Sequence, residues 1–271
     1  MTFTPVLPAG GVIGWRFLNR TLDQQAAAHA GQAAQRRDEA YFRERINSIG
    51  TAADLVADPR LLRVALTAFG LEGDARNKFF VRKVLEDGTL DPRALSNRLA
   101  DKRYRAFSAA FGFGDFSTPR TRLSDFADTI LPAFKERAFE AAVGVADDTM
   151  RLSLNARREV SALARQTMTE DAKWFTVMGN PPLRKVFETA LGLPSAFGAL
   201  DIDRQLGIFK DKAARVFGAA TVSQFADPAT TEALIRRYLL RADPGAGQGA
   251  APGTGALQLL QSAASSRRTL R

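Results

Sequence analysis

Residues 58–71 read DPRLLRVALTAFGL, and residues 180–193 read NPPLRKVFETALGL. Laid over each other without a gap, Pro59/Pro181, Leu61/Leu183, Val64/Val186, Thr67/Thr189, Ala68/Ala190, Gly70/Gly192 and Leu71/Leu193 are identical, 7 of 14 positions. Asp58 and Asn180 supply a side-chain oxygen where a helix begins. The proline that follows lacks only an N–H that would have had no helical partner. An apolar stripe runs on from there, and the glycine favours the left-handed conformation that stops a helix. Each copy is therefore a short capped helix, and the chain carries the unit twice. The repeat bears on architecture and names no activity.

Outward from the first copy, capping residues alternate with stops. Residues 1–14 hold Pro5, Pro8, Gly10, Gly11 and Gly14 and read as a flexible or extended lead. Trp15 to Ile49 is rich in Ala, Gln, Arg and Glu without proline, and predicts one long helix ended by Gly50. Its middle, Asp23 to Glu39, is polar all round, so it is expected to be exposed or to await a partner. Tyr41, Phe42, Ile46 and Ile49 should dock its end on the core. Thr51 and Asp54 form a capping box. Asp74, Asp91 and Asp101 each predict a further helix, through Phe79–Leu85, Leu95–Leu99 and Tyr104–Phe111, with glycine stops at Gly88 and Gly112.

After the connector Phe116–Pro119, Leu123, Phe126, Ile130, Phe134 and Phe139 keep helical spacing through Pro132, where a kink is expected. Met150, Leu152 and Leu154 alternate like a strand, but Val160, Leu163, Ala164 and Thr167 decide for a helix up to Met168. The second copy follows Trp174, Phe175 and Met178. Then come a helix over Asp201–Phe217 and a last core helix with Leu234, Ile235, Tyr238 and Leu239. Phe225-Ala-Asp227-Pro228 faintly echoes Leu99-Ala-Asp101. Pro244–Gly255 reads as a linker by composition, and Ala256–Arg271 as a tail that is either disordered or a docking peptide.

The expected fold is all-α: an orthogonal multi-helix bundle with two related helical halves and a long polar N-terminal helix. The expected organisation is a lead (1–14), an N-terminal half (15–115), connecting long helices (116–173), a C-terminal repeat-like half (174–242) and a linker with tail (243–271). Removing residues 1–40 or 244–271 is expected to leave the core folded.

Composition excludes several chemistries. The 271 residues contain no cysteine, so disulfides, thiolate metal sites and cysteine nucleophiles are ruled out. The single histidine, His29, forbids a histidine metal cluster and reads as a solvent-facing helix residue rather than a triad base. Nineteen Phe against three Tyr and two Trp are core anchors, since Phe has no polar handle. No apolar run approaches the ~18 residues of a transmembrane helix, and the N-terminus lacks the pattern of a cleaved signal peptide. The net charge of +9 attracts anionic partners. Within residues 60–105, however, 11 basic and 6 acidic side chains are interspersed, a surplus of 5 on a solvated outer face.

Candidate sites resolve into structural roles. Asp147/Asp148 and Asp201/Asp203 stand at helix starts and read as caps, where negative charge favours the helix dipole. Asp87-Gly88-Thr89-Leu90-Asp91 resembles a fragment of a calcium loop but lacks the alternating ligands and the closing Glu. Gly112-Phe-Gly114-Asp115 reads as a turn. Arg157-Arg158 and Arg236-Arg237 could grip phosphate or carboxylate, and read first as solvated helix faces. No catalytic, cofactor-binding or metal-ligating residue is assigned, and no cofactor is expected.

Four ordered stretches carry a family likeness: YFRERINSIGTAADLVADPRLLRVALTAFGLEGDARNKFFVRKVLEDG, LSNRLADKRYRAFSAAFGFGD, FEAAVGVADDTMRLSLNARREVSALA, and Trp174 through Met178 to GNPPLRKVFETALGLP. Together they resemble an alphaproteobacterial family, domain of unknown function 1217, over roughly residues 38–242. Members of that family are often encoded among flagellar genes. The resemblance therefore implies a flagellar role while bringing no catalytic residues to carry over. The function expected is a non-enzymatic structural or protein-interaction component of the bacterial flagellar system, with a flagellar component as protein partner. The alternative is a basic nucleic-acid-binding regulator, and a third reading is an enzyme with an unrecognised site. The expected location is cytoplasmic, or exported through the flagellar apparatus without a cleaved signal. The absence of cysteine and the N-terminal lead both suit that route.

Overall fold

The computed structural model describes residues 3–242. They form thirteen α-helices and, among the described residues, no strand. In chain order these are α1 (Gly11–Ala30), α2 (Ala33–Arg45), α3 (Ala52–Ala57), α4 (Pro59–Phe69), α5 (Lys78–Asp87), α6 (Leu95–Arg98), α7 (Arg103–Phe111), α8 (Phe126–Ala146), α9 (Asp148–Ala164), α10 (Glu170–Gly179), α11 (Pro181–Leu191), α12 (Ile202–Phe217) and α13 (Pro228–Ala242). The protein is thus an all-α multi-helix bundle. The expected linker and tail over 243–271 lie outside the described residues.

The repeated stretch folds the same way twice. Asp58 Oδ1 accepts the backbone N–H groups of Arg60 and Leu61, each at 2.9 Å, and Asn180 Oδ1 accepts that of Leu183 at 3.3 Å. At the far ends Gly70 (φ 69°) and Gly192 (φ 65°) are left-handed. The next N–H reaches back five residues, Leu71 to the Leu66 carbonyl and Leu193 to the Glu188 carbonyl, both at 2.9 Å. This is a Schellman closure, in which glycine avoids the Cβ clash of positive φ. A short helix with a threonine cap precedes each copy: Thr51 before α3 and Thr169 before α10. A 3-10 turn and a further helix follow each, Glu72–Asp74 then α5, and Ser195–Ala199 then α12. Even the orphan carbonyls are matched: Ala68 accepts from Arg137 Nη1 and Ala190 from Arg237 Nε, both at 2.7 Å.

Two buried apolar clusters organise the chain. One gathers Phe42, Ile46, Leu55, Leu61, Leu66, Phe107 and Phe111 with the first half of α8, Phe126 to Phe134. The other gathers α9 to α13 with Trp15 and Leu18 of α1, and takes Phe139 and Val143 from the second half of α8. Helix α8 thereby belongs to both. It runs on through the exposed Pro132, which removes one backbone hydrogen bond but no packing. In the first cluster Phe111 lies edge-on to Phe107 and Phe126, with ring centroids 5.1 Å away in each case. In the second Trp174 stacks on Phe209 at 5.7 Å, meets Phe187 edge-on at 5.5 Å, and donates Nε1–H to the Ala220 carbonyl at 2.9 Å. Phe79, 84% exposed, departs from the reading of phenylalanine as core.

Several local expectations are corrected. The single helix over Trp15–Ile49 is two helices, because Gln32 is extended (ψ 143°) and its side-chain amide turns away to the Phe3 carbonyl at 3.2 Å. Asp74 does not begin a helix. It sits in a 3-10 turn, accepting from Asn77 Nδ2 at 2.7 Å and from the Tyr104 hydroxyl, and α5 starts at Lys78. The helix expected from Asp91 shrinks to the four residues of α6. Removing residues 1–40 would strip Trp15 (1% exposed) and Leu18 (0%) from the second cluster, so that truncation would not leave the core intact.

Candidate interaction site

Helices α1, α8 and α9 enclose a cleft of about 380 Å³. Helical spacing puts its lining on shared faces. Lys135, Glu136, Phe139 and Glu140 come from α8 at i, i+1, i+4 and i+5, and Leu154, Arg157 and Arg158 come from α9 at i, i+3 and i+4. The alanines of α1 (Ala26, Ala27 and Ala30) have no bulk to fill the space opposite, which is why a cleft remains there. Phe139 and Leu154 make an apolar floor, 3% and 4% exposed, and Leu22 and Ala26 extend it.

The polar wall is an ion-pair chain. Arg158 grips Glu140 with two hydrogen bonds, Nε and Nη2 each donating to a separate carboxylate oxygen at 2.9 Å. Its Nη1 donates to Glu159, which also accepts from Arg137 Nη2 at 2.9 Å. Arg137 in turn serves the Ala68 carbonyl at the end of α4. One network therefore joins the cleft to the first copy of the repeat. Burial pushes the Glu140 carboxyl up from its ordinary value, and the paired Arg158 guanidinium opposes that shift. A carboxylate held by both oxygens is a poor proton shuttle. The arrangement suits recognition: an apolar side chain can seat against Phe139 and Leu154, with charges of both signs at the mouth.

Neighbouring residues settle how the sequence candidates are used. Arg157 and Arg158 are not a solvated face: Arg157 donates to Asn19 Oδ1 at 2.6 Å and lies 5.2 Å from the centre of the Trp15 ring. Arg237 serves the α11 carbonyl, whereas Arg236 is exposed. Asp147 caps α9 through the N–H groups of Thr149 and Met150, at 2.8 and 3.2 Å, and Asp148 pairs with Arg151 at 2.6 Å. Asp201 caps α12. The calcium-like loop is organised by protein groups. Asp87 pairs with Lys83 at 2.7 Å, Asp91 accepts from the Arg93 N–H at 2.8 Å, and Asp115 accepts from the Thr89 hydroxyl at 2.8 Å and the Leu90 N–H at 3.0 Å. Asp115 thus belongs to a turn, as expected, but one that pins a second loop. Among the described residues no group of three His, Asp or Glu could hold a metal ion.

His29 is not solvent-facing. It is 5% exposed, its ring edge-on between Phe3 at 6.5 Å and Phe139 at 5.9 Å. Among the described residues its buried Nδ1 has no partner. Burial lowers its pKa from 6.5, because the charged ring cannot be hydrated there. Below about pH 6.5 the unfolded chain then binds more protons than the folded one, so this residue's contribution to stability is full above pH 6.5 and falls as pH drops through the depressed folded value. Urea titrations of the chain and of His29→Phe between pH 7.5 and 5 should diverge: the unaltered chain loses stability towards acid faster than the variant. Parallel curves would mean that the imidazole reaches water.

Gln25 was also missed. It is 6% exposed, and its amide pairs with the backbone of Val6. Polar residues in a polar-looking helix carry no sequence signal for burial. The only hint was the spacing Trp15, Leu18, Gln25, His29 on one stripe.

No curated protein matches the chain, and among the described residues no helix is long and apolar enough to cross a membrane. The X-ray crystal structure of protein AGR_C_984 from Agrobacterium tumefaciens is similar in fold. It has 22% sequence identity and a TM-score of 0.71, and the similarity covers 89% of this chain and 99% of that one. At that identity the likeness speaks for the fold. The profile of the family described as protein of unknown function (DUF1217) matches residues 68–231, more than half of the chain, and the protein belongs to that family.

Proposed function

We propose that the protein is a non-enzymatic structural or interaction component of the bacterial flagellar system that captures a protein partner. The observation that supports this reading is the α1–α8–α9 cleft, whose apolar floor and doubly signed rim match the make-up of a protein docking site better than that of a reaction centre. The flagellar assignment rests on the gene association that the family resemblance implies. The nucleic-acid reading has weaker support. Arg60, Arg63, Arg103, Arg137, Arg158 and Arg184 each pair with a carboxylate, whereas phosphate binding needs cations free to displace counterions.

The test is fractionation of an epitope-tagged copy in its native cells, with flagellar export intact and then disabled. The expected result is enrichment with filament, basal-body or export-apparatus fractions, reduced at least ten-fold by Ala27→Arg, which puts a charged bulk at the exposed edge of the cleft. A uniform distribution in both strains would remove the flagellar reading. Unchanged enrichment of Ala27→Arg would remove the cleft from it.

A further inference from the structure

Residues 3–8, FTPVLP, are not a free lead. They lie extended along α1, and their side chains alternate: Phe3, Pro5 and Leu7 are turned in, whereas Thr4, Val6 and Pro8 are exposed. That two-residue period belongs to an extended segment with one buried face. Among the described residues no strand lies beside it. A side-chain amide takes the strand's place: the Val6 N–H donates to Gln25 Oε1 at 2.8 Å, and Gln25 Nε2 donates back to the Val6 carbonyl at 3.2 Å. The second Nε2 hydrogen goes to Thr21 Oγ1 at 2.7 Å, which fixes the direction of the amide. Gln32 Nε2 holds the Phe3 carbonyl at 3.2 Å. At one end the Phe3 ring meets the buried imidazole of His29. Past its other end the chain turns into α1 at Ala9, whose carbonyl oxygen lies against Gly14 and leaves no room for a Cβ there.

A buried glutamine without a partner is costly, on the order of 1–3 kcal/mol. Gln25 is therefore built for a peptide backbone opposite it. Backbone pairing at one residue combined with sockets for alternate side chains is how extended peptides are recognised. We propose that this face of α1 is a peptide-binding groove for an extended partner segment with an aromatic residue, an aliphatic one four positions on, and a free N–H between them. The chain's own residues 3–8 fill the groove in cis and exclude that segment until they are displaced. The proposal does not rest on the flagellar reading.

The test uses the full chain and a fluorescein-labelled peptide of residues 3–10 as probe. A tethered arm competes at an effective concentration on the order of mM, so the groove must first be vacated. Val6→Pro does this by deleting the arm's donor at an exposed position, and Phe3→Ala does it by emptying the socket. With either variant, folded by circular dichroism, the peptide's anisotropy should rise saturably, with an affinity at least ten-fold tighter than with the unaltered chain. Adding Gln25→Ala should remove that gain, and a peptide itself carrying Val6→Pro should bind at least ten-fold more weakly. Absence of saturable binding to both vacated chains overturns the proposal. So does binding indifferent to Gln25→Ala or to the proline in the peptide.

Discussion

Arg158→Met is expected to lower the unfolding free energy by about 3–5 kcal/mol, the usual cost of leaving one member of a buried ion pair behind. The reason lies with Glu140, 7% exposed, both of whose carboxylate oxygens are satisfied by that one guanidinium. Without it the carboxylate keeps its desolvation penalty and loses its compensation. Removing both charges in Arg158→Met/Glu140→Leu should recover most of the loss, since apolar replacements of buried pairs are often neutral or stabilising. Urea midpoints of the two single variants and the double variant give the coupling directly. The pH dependence adds a sign. Glu140's folded pKa lies above its ordinary value and would rise further once unpaired, so Arg158→Met should regain stability as pH falls towards 4.5. That direction is opposite to the one expected from His29. Additive single effects, with no recovery in the double variant, would mean that the pair is hydrated and works as a surface bridge.

Phe111→Ala should cost about 3–5 kcal/mol as a large cavity among aromatic neighbours, and its effect should be visible from the other end of the molecule. Both tryptophans, Trp15 and Trp174, lie in the second cluster, whereas Phe111 lies in the first. Tryptophan fluorescence therefore reports only on the cluster that the substitution does not touch. Helix α8 contributes Phe126–Phe134 to one core and Phe139–Val143 to the other, and the Glu140–Arg158–Glu159–Arg137 chain runs from α9 to the end of α4. A shared rigid helix makes one cooperative unit. The fluorescence melt of Phe111→Ala should thus shift as far as its circular-dichroism melt. A fluorescence transition left in place while ellipticity drops early would show two units folding independently.

The aromatic cores and the helix ends are legible in the sequence, and the reason is local. Asp58-Pro59 and Asn180-Pro181 cap helices through oxygens two or three residues from the N–H groups they serve. Gly70 and Gly192 close them by a torsion that other residues resist. Phe107, Phe111, Phe187 and Phe209 had no way to be satisfied except by burial. Asp74 and Asp91 misled because aspartate serves turns as readily as helices. At Asp74 the deciding partner, Tyr104, lies thirty residues away.

The candidate sites were hardly legible, because what defines them is contact between distant segments. Gln25 and His29 read as members of a polar helix. They are buried because Phe3 and Val6 fold back over α1 and because Phe139 arrives from α8. Arg157 and Arg158 read as a solvated pair, and only the approach of α1 and α8 gives them Asn19 and Glu140. What the sequence by itself determined is the all-helical class, the twice-used capped helix and the cysteine-free chemistry, since each depends on residues within one helical turn or on composition. Only the tertiary structure decided which polar residues are buried, that α8 is common to both cores, where the cleft lies, and that residues 3–8 fold back along α1. Those depend on which faces meet, and a hydrogen bond between residues 6 and 25 or an ion pair between 140 and 158 leaves no periodicity in the chain.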